Sequence, residues 1–506
     1  MLNTKLTLSA VAAIALLARV AMVNINAAEW GDSYRILRAS NFIRHLSYPA
    51  DEKRPPLFSA VLAVRPATVD AVVWGRVIML GLSLLALGTF AKLAKLYLPT
   101  SRQQFWAVLL LAINPVYLYW SLRLYADVPF SLLVLVCCYV FEAWRVRWVH
   151  TNNHPTRLLV VMGVVCGLSI LTRFEGYLLT LATVTGIVVV AKARPKTAVA
   201  FAAIVSVTTL AVILPWLVYR NPLTSAYFEE PGGRAYDLTM LATYAVSYLF
   251  VLGIIPAGAL VVSHFNTNSA TNLRNWALRY PHILSFVALE SLLILAWPAA
   301  VPRLFVPIIP FVILAFVSAW QNRINWRITA GTALVLTVGY GIVQHQLRLQ
   351  FIGSHTAIYI CVTLLAGLGT VALALQRHKL FMLTAVLSMA MLTASTVYLH
   401  RTIYSSIKEI ATFSAGATQG TIIHNDTAGI VSWYLPHSVY KNLDDKKYLT
   451  QAYLQENTVD YIILTNEFNP TMEIDLKKRP YLELVRVSKY TAGGKMFFTW
   501  LVQVHK

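Results

Sequence analysis

Long apolar runs alternate with short basic loops through the first four hundred residues, and the pattern then changes. Apolar runs lie near 6–24, 71–91, 104–120, 128–144, 158–171, 177–191, 197–218, 241–263, 283–300, 304–320, 328–344, 356–375 and 380–398. Most approach the length that crosses a bilayer core, so the pattern predicts about thirteen transmembrane helices. From residue 400 onward the chain is polar, and strand and helix signals alternate. "TIIHND" reads as a strand running into an Asp426 helix cap, "DDKKYLTQAYLQENT" as an amphipathic helix, and "VDYIILTN" as a second strand. "YLELVRVSKYTAGGKMFFTWLVQVH" reads as a hairpin turning at Gly493-Gly494. The division is therefore a helical membrane domain over 1–399, with a first outer loop at 25–70, and a small α/β domain over 400–506.

Loop charge orients the spans. Alternate loops hold Lys92, Lys95 and Arg102; Arg145, Arg147 and Arg157; Lys192, Arg194 and Lys196; Arg274 and Arg279; Arg323 and Arg327; Arg377 and Lys379. A Lys/Arg excess marks the cytoplasmic side, so the N-terminus lies inside, and an odd number of crossings puts the C-terminal domain outside. The opposite loops are chemically different. They carry Asp32 and Arg54, then Arg123 and Asp127, then Arg173 and Glu175, then Glu229, Glu230, Arg234 and Asp237, and later Arg303 and Arg348. Acids paired with arginines thus gather on the outer face, and those beside span ends are expected to face a protein-lined cavity or the interface.

Composition agrees with membrane residence: 57% of the 506 residues are hydrophobic and 13% charged, with a mean hydropathy of +0.60. The net charge of +20 forms no dense stripe and follows the inner loops, which argues against a nucleic-acid partner. All four cysteines, Cys137, Cys138, Cys166 and Cys361, fall in apolar runs, so neither a disulfide framework nor a structural zinc site is expected. The absence of cysteines from the outer segment favours a bacterial inner membrane. The first apolar run reads as a retained anchor and not a cleaved leader, because Arg19 interrupts it and no small-residue cleavage site follows. No P-loop or dinucleotide fingerprint is present.

The first outer loop has two amphipathic features. In "DSYRILRASNFIRHLSY", Ile36, Ala39, Ile43 and Leu46 recur at helical spacing while Arg35, Arg38, Asn41 and His45 take another face, as in a helix lying in the headgroup layer. In "ADEKRPPLFSAVLA", Pro55 and Pro56 suit the first turn of a second short helix, beside Arg54. Trp30, Tyr34, Trp120, Tyr125, Tyr227 and Phe228 sit at outer span ends, where they form an aromatic belt or stack on sugar faces.

These outer features come in a telling order: an acid after span one, Arg-Pro-Pro in the same loop, an acid opening span four, "LTRFEG" after span five, "PRLFVPIIP" opening a late span, and a terminal outer α/β domain. The ordered set resembles the GT-C superfamily of membrane glycosyltransferases, above all the protein O-mannosyltransferases and the bacterial aminoarabinose transferases. The resemblance implies transfer of one sugar from a polyprenyl-phosphate donor to an acceptor hydroxyl on the outer face, with inversion. It implies Asp32 as general base or acceptor-orienting residue, Asp127 as a second catalytic acid in the same cavity, and Arg54 as the grip on the donor phosphate. Arg303 and Arg173 are its expected helpers, and Glu175, Tyr34 and Tyr125 are supporting residues. The departures are Phe174 for the family's Pro, Leu304 for an aromatic, and Ser33 where protein O-mannosyltransferases carry Asp-Glu.

Elementary chemistry makes the same demand. A sugar phosphate ester needs a base for the attacking hydroxyl and cations for the departing phosphate. Asp32 offers the first, and the arginines offer the second. One base with direct displacement predicts inversion, since retention usually needs a second carboxylate at short range. No cofactor is required, and a divalent cation stays open as a helper. The partners are the lipid-linked donor, membrane lipids and a lipid, glycan or protein acceptor. The competing class is a polytopic transporter or lipid-linked-sugar flippase, which predicts mid-membrane charges in broken helices and matched halves.

Overall fold

The computed structural model describes residues 4–151, 155–220, 278–297, 301–319, 377–468, 478–492 and 495–505, with isolated residues between 237 and 275 and between 361 and 375. The apolar runs become helices: α1 (Thr4–Met22), α4 (Ala71–Tyr97), α7 (Asp127–Thr151), α8 (Thr156–Thr172), α9 (Gly176–Val190), α10 (Pro195–Tyr219), α11 (Pro281–Ala296), α12 (Ile309–Ala319) and α13 (His378–His400). Among the described residues, four segments are long and apolar enough to cross a bilayer: Ala71–Tyr97, Asp127–Val149, Pro195–Tyr219 and Lys379–Ala417, which includes α13. Most of the expected span at 241–263, all of that at 328–344 and most of that at 356–375 lie outside the described residues.

The expected span 104–120 is not one helix. It divides into α5 (Ser101–Ala112) and α6 (Pro115–Trp120). Pro115 has no N–H to continue the α5 ladder, and the Asn114 side chain accepts from the backbone N–H groups of Val116 and Tyr117, which starts a new helix. Where α8 crosses α10 the contact is made by Gly163 and Gly167. A Cβ at either position would stand 2.6 Å from a Cβ of α10, Thr208 or Val212. Two small residues one turn apart let the helices approach closely, so dispersion replaces the hydrophobic driving force that lipid does not provide. Arg19 faces inward, where Ser83 Oγ (3.1 Å) and the carbonyls of Ala15 (3.2 Å) and Ala112 (3.4 Å) accept from it.

The first outer loop folds as two short helices, α2 (Gly31–Arg44) and α3 (Leu57–Ala63). The expected apolar face of α2 is buried at Ile36 and Ala39 but ends before Leu46, which is 97% exposed in a left-handed conformation.

Beyond α13 comes a helix, α14 (Ser405–Ala417), and a five-stranded sheet of β1 (Thr421–His424), β2 (Val439–Tyr440), β3 (Val459–Thr465), β4 (Leu482–Ala492) and β5 (Lys495–Val504), in the order β2-β1-β3-β5-β4. The pairs β1–β2 and β1–β3 are parallel, while β3–β5 and β4–β5 are antiparallel. Period-two alternation sorts the side chains. Ile422, Ile463 and Leu501 pack under α14 through Ile407, Ile410 and Ala411, while Ile423, Ile462, Leu464 and Val502 bury the other face against Leu443, Leu449 and Leu454. The hairpin forms between β4 and β5 as expected, although its Gly493-Gly494 turn lies outside the described residues. The helix expected over 444–458 is broken. A 3-10 turn at Lys446–Leu449 precedes α16 (Gln451–Glu456), because Thr450 caps a fresh helix start with its hydroxyl. The expected cap is displaced: the N-cap of α15 (Ile430–Tyr434) is Gly429, three residues beyond Asp426, whose carboxylate instead ties the intervening loop to the first turn by accepting from the N–H groups of Ala428 (2.8 Å) and Val431 (2.7 Å). This unit sits on the first outer loop. Tyr34 of α2 belongs to the same apolar cluster as Ile407 and Ile430, and Lys408 Nζ donates to the Ala27 carbonyl at 2.7 Å.

Candidate active site

The first outer loop and the turn before α12, far apart in sequence, converge on Asp32. The acid occupies the first turn of α2, where free backbone N–H groups favour a negative charge. Its Oδ1 lies 2.5 Å from Arg54 and its Oδ2 3.2 Å from Arg303. Arg54 sits just before Pro55-Pro56, which lead into α3, and Arg303 lies in the single 3-10 turn Pro302–Phe305 before α12. The three side chains are 29%, 18% and 23% exposed, so a ligand can reach them. Arg54 is also held by Glu52, which accepts from its Nη1 at 2.9 Å and from its backbone N–H at 3.1 Å. The guanidinium of Arg303 lies over the Tyr125 ring, 4.4 Å from its centroid.

The charges follow from this geometry. Burial alone would raise the Asp32 carboxyl, but the guanidiniums of Arg54 and Arg303 outweigh it and hold the group well below the usual carboxylate range. Burial likewise opposes the Arg54 charge, and Asp32 and Glu52 more than restore it. All three groups are therefore ionised at neutral pH.

Asp32, Arg54, Arg303 and Tyr125 line a cavity of about 430 Å³, a size typical of small-molecule sites. Arg173 and Glu175 line it too, as do Tyr404 before α14 and Phe468 after β3. Arg173 is the bridge of a second ionic group: it donates to Asp127 Oδ1 at 2.6 Å and, through Nε, to Glu175 at 3.1 Å. Asp127 itself is fully buried at the start of α7 and stands behind Arg173, not among the cavity-lining residues. Glu290 of α11 is also buried.

The sequence-predicted residues thus divide. Asp32, Arg54, Arg303, Arg173, Glu175 and Tyr125 meet around one cavity, while Asp127 supports it from behind. Tyr34 points the other way, 2% exposed, with its hydroxyl accepting from the Glu29 N–H at 3.2 Å and its ring near Trp433 and Tyr434. Two residues were missed. Glu52 is one, and its signal was its place two residues before Arg54. The other is Glu29, which is fully buried and paired with Arg76 at 2.7 Å and Arg123 at 3.3 Å. In "NAAEWGDSYRILRAS" the two acids look alike, and only burial shows that Glu29 ties α1 to α4 and the 121–126 loop while Asp32 faces the cavity.

Among the described residues no group of three or more His, Cys, Asp or Glu is placed to hold a metal ion.

The family model of dolichyl-phosphate-mannose-protein mannosyltransferases matches residues 53–219, a stretch that contains Arg54, Asp127, Arg173 and Glu175. No curated protein sequence matches the chain. Among solved structures the fold is that of the GT-C membrane glycosyltransferases, as the order of outer-loop motifs implied. More particularly, the chain is similar along its whole length to ArnT from Cupriavidus metallidurans. The apo structure matches with a TM-score of 0.61 at 15% identity, covering 97% of each chain. The structure bound to undecaprenyl phosphate matches with a TM-score of 0.59 at 15% identity and the same coverage. The mycobacterial arabinofuranosyltransferase AftD matches with a TM-score of 0.53 at 13% identity, over 100% of this chain and 40% of AftD.

Proposed function

We propose that this protein is a membrane glycosyltransferase that moves a sugar from a polyprenyl-phosphate donor to an acceptor hydroxyl on the outer face, with inversion. The observation that carries the proposal is the Asp32 carboxylate held between Arg54 and Arg303 on the wall of the cavity. Support for the donor class comes from the fold, since one ArnT structure of the same fold holds undecaprenyl phosphate.

The chemistry runs through competition for two guanidiniums. While both face Asp32, that carboxylate is a weak base. A donor phosphate entering the cavity is a stronger bidentate partner for Arg54 and Arg303. As they turn to it, Asp32 regains basicity beside the acceptor. The acceptor O–H proton passes to Asp32, the oxygen forms its bond to the anomeric carbon, and the bond from that carbon to the phosphate oxygen breaks. The electron pair leaves on the polyprenyl phosphate, whose charge the two arginines neutralise. Arg173 is already flanked by Asp127 and Glu175, so it shapes the wall that faces the sugar. On this reading the protein resides in a bacterial inner membrane, with its C-terminal unit outside.

The test is transfer of radiolabelled sugar from a panel of polyprenyl-phosphate sugars to membrane extracts by wild type and Asp32→Asn. Label transferred by wild type and lost in the variant, at equal expression, is the expected result. Equal transfer by both would remove Asp32 from the mechanism.

A further inference from the structure

Arg54 lies in a loop, residues 45–56, that joins α2 to α3 without a helix of its own. Ordering such a loop costs backbone entropy at every residue, so whatever holds it before a ligand arrives raises the affinity of the side chains it presents. The helices fix its two ends, α2 through the buried Ile36 and Leu37 and α3 through the buried Phe58 and Leu62. Its middle is held by the end of α10.

Tyr48 is the centre of that contact. Its hydroxyl donates to the Arg54 backbone carbonyl at 2.9 Å, which folds the stretch between them back on itself. Its ring stands edge-on to Trp216 of α10, with centroids 5.2 Å apart and planes at 81°. Arg220, the residue after α10, has its guanidinium 5.8 Å from the centre of the same ring. That guanidinium also donates to two successive loop carbonyls, Pro49 at 3.1 Å and Ala50 at 2.5 Å. A planar fork suits two acceptors in a row better than a point charge does. Arg220 is itself placed by the helix, since its N–H donates to the Trp216 carbonyl at 2.8 Å. A helix of bilayer length therefore reaches Arg54 in two steps, from α10 to residues 48–50 and from Tyr48 to the Arg54 carbonyl.

We propose that Tyr48 and Arg220 form a clamp that positions Arg54 for the donor phosphate. Neither residue is among those lining the cavity, so both act through Arg54 and are positioning residues for the transfer. The inference rests on the donor reading for what Arg54 grips.

The full chain in detergent tests this with two measurements: calorimetric titration with undecaprenyl phosphate, and hydrogen–deuterium exchange at the amides of residues 50–54. Tyr48→Phe removes the hydroxyl and keeps the ring on Trp216. It is expected to weaken lipid binding about threefold to tenfold, the usual worth of one hydrogen bond, and to speed exchange at those amides. Arg220→Gln is expected to act in the same direction, and Arg220→Lys to recover part of the loss. In an Arg54→Gln background, Tyr48→Phe should cost no further affinity, because the clamp works through the guanidinium that is then missing. An equal cost in both backgrounds would make Tyr48 a structural residue and overturn the proposal. Unchanged affinity or unchanged exchange in Tyr48→Phe would overturn it too. If wild type does not bind undecaprenyl phosphate but exchange rises in Tyr48→Phe, the donor reading fails while the clamp on Arg54 stands.

Discussion

Asp32 and Arg303 meet at 3.2 Å across 271 residues of chain. Arg54 closes the same carboxylate from its other oxygen, so one acid is shared by two cations on separate elements. An ion triad of this kind is partly exposed and contributes little to stability by itself. Its worth lies in holding two guanidiniums where a phosphate can take them over.

The first prediction separates binding from chemistry at this triad. Asp32→Asn should reduce sugar transfer by roughly 10²–10⁴-fold, the usual worth of a positioned general base. The same variant should bind undecaprenyl phosphate at least as tightly as wild type, because both arginines lose their competitor. Parallel transfer and binding assays check both parts, and a variant that loses donor binding would contradict the exchange.

Arg54→Gln and Arg303→Gln should do the reverse. Each removes charge-assisted hydrogen bonds worth about 1.5–3 kcal/mol, which corresponds to roughly a 10- to 100-fold loss of affinity for undecaprenyl phosphate. Titration of each variant with that lipid, at equal thermal stability, reads the effect.

Glu29 lies close by in sequence but should answer differently. It is fully buried, and Arg76 and Arg123 both depend on it. Glu29→Gln leaves two buried guanidiniums without their counter-charge, a loss on the order of 3–5 kcal/mol. The expected outcome is a large drop in thermal stability in detergent, with activity falling only in proportion to folded protein.

Packing is tested at Gly167. A Cβ there meets Val212 at 2.6 Å with the Thr209 carbonyl 3.2 Å away, so Gly167→Leu forces α8 and α10 apart. The expected loss is about 1–3 kcal/mol of stability, as for other overpacked sites. An unchanged melting temperature would show that the two helices do not meet there.

The C-terminal unit carries a pH signature. Glu467 accepts from the Tyr490 hydroxyl, and burial, with a further push from Asp426, raises its carboxyl from 4.5 to about 7 despite that hydrogen bond. A raised acid binds its proton more tightly in the folded state, so its contribution is complete below about pH 4.5 and is lost as pH rises through 7. Melting temperature should fall across that window, and Glu467→Gln should flatten the fall.

Among the described residues, much of the helix and strand pattern was legible because each apolar run is a local property: helix length and strand alternation depend on neighbours in sequence. The strand Thr421–His424, for example, was readable from "TIIHND" alone, although the helix after it starts at Gly429 and not at Asp426. Where local rules compete, the reading slipped. Asn114-Pro115 restarts a helix inside an apolar run, and Thr450 does the same within an amphipathic one, since a cap can outweigh continuity of pattern.

The sequence by itself determined that this chain is a bundle of apolar helices with acids and arginines gathered at one end, because bilayer thickness and loop charge act residue by residue. It also marked Asp32, Arg54 and Arg303 as one chemical set. Only the tertiary structure decided which acid faces the cavity and which is sealed within the bundle. Glu29 and Asp32 stand three residues apart with the same charge, and their difference is burial and partners, which come from α4, the 121–126 loop and the turn at Pro302–Phe305. Arg35 was likewise one of several basic residues on a helix face until the C-terminal unit folded over α2 and placed it where two cavities adjoin.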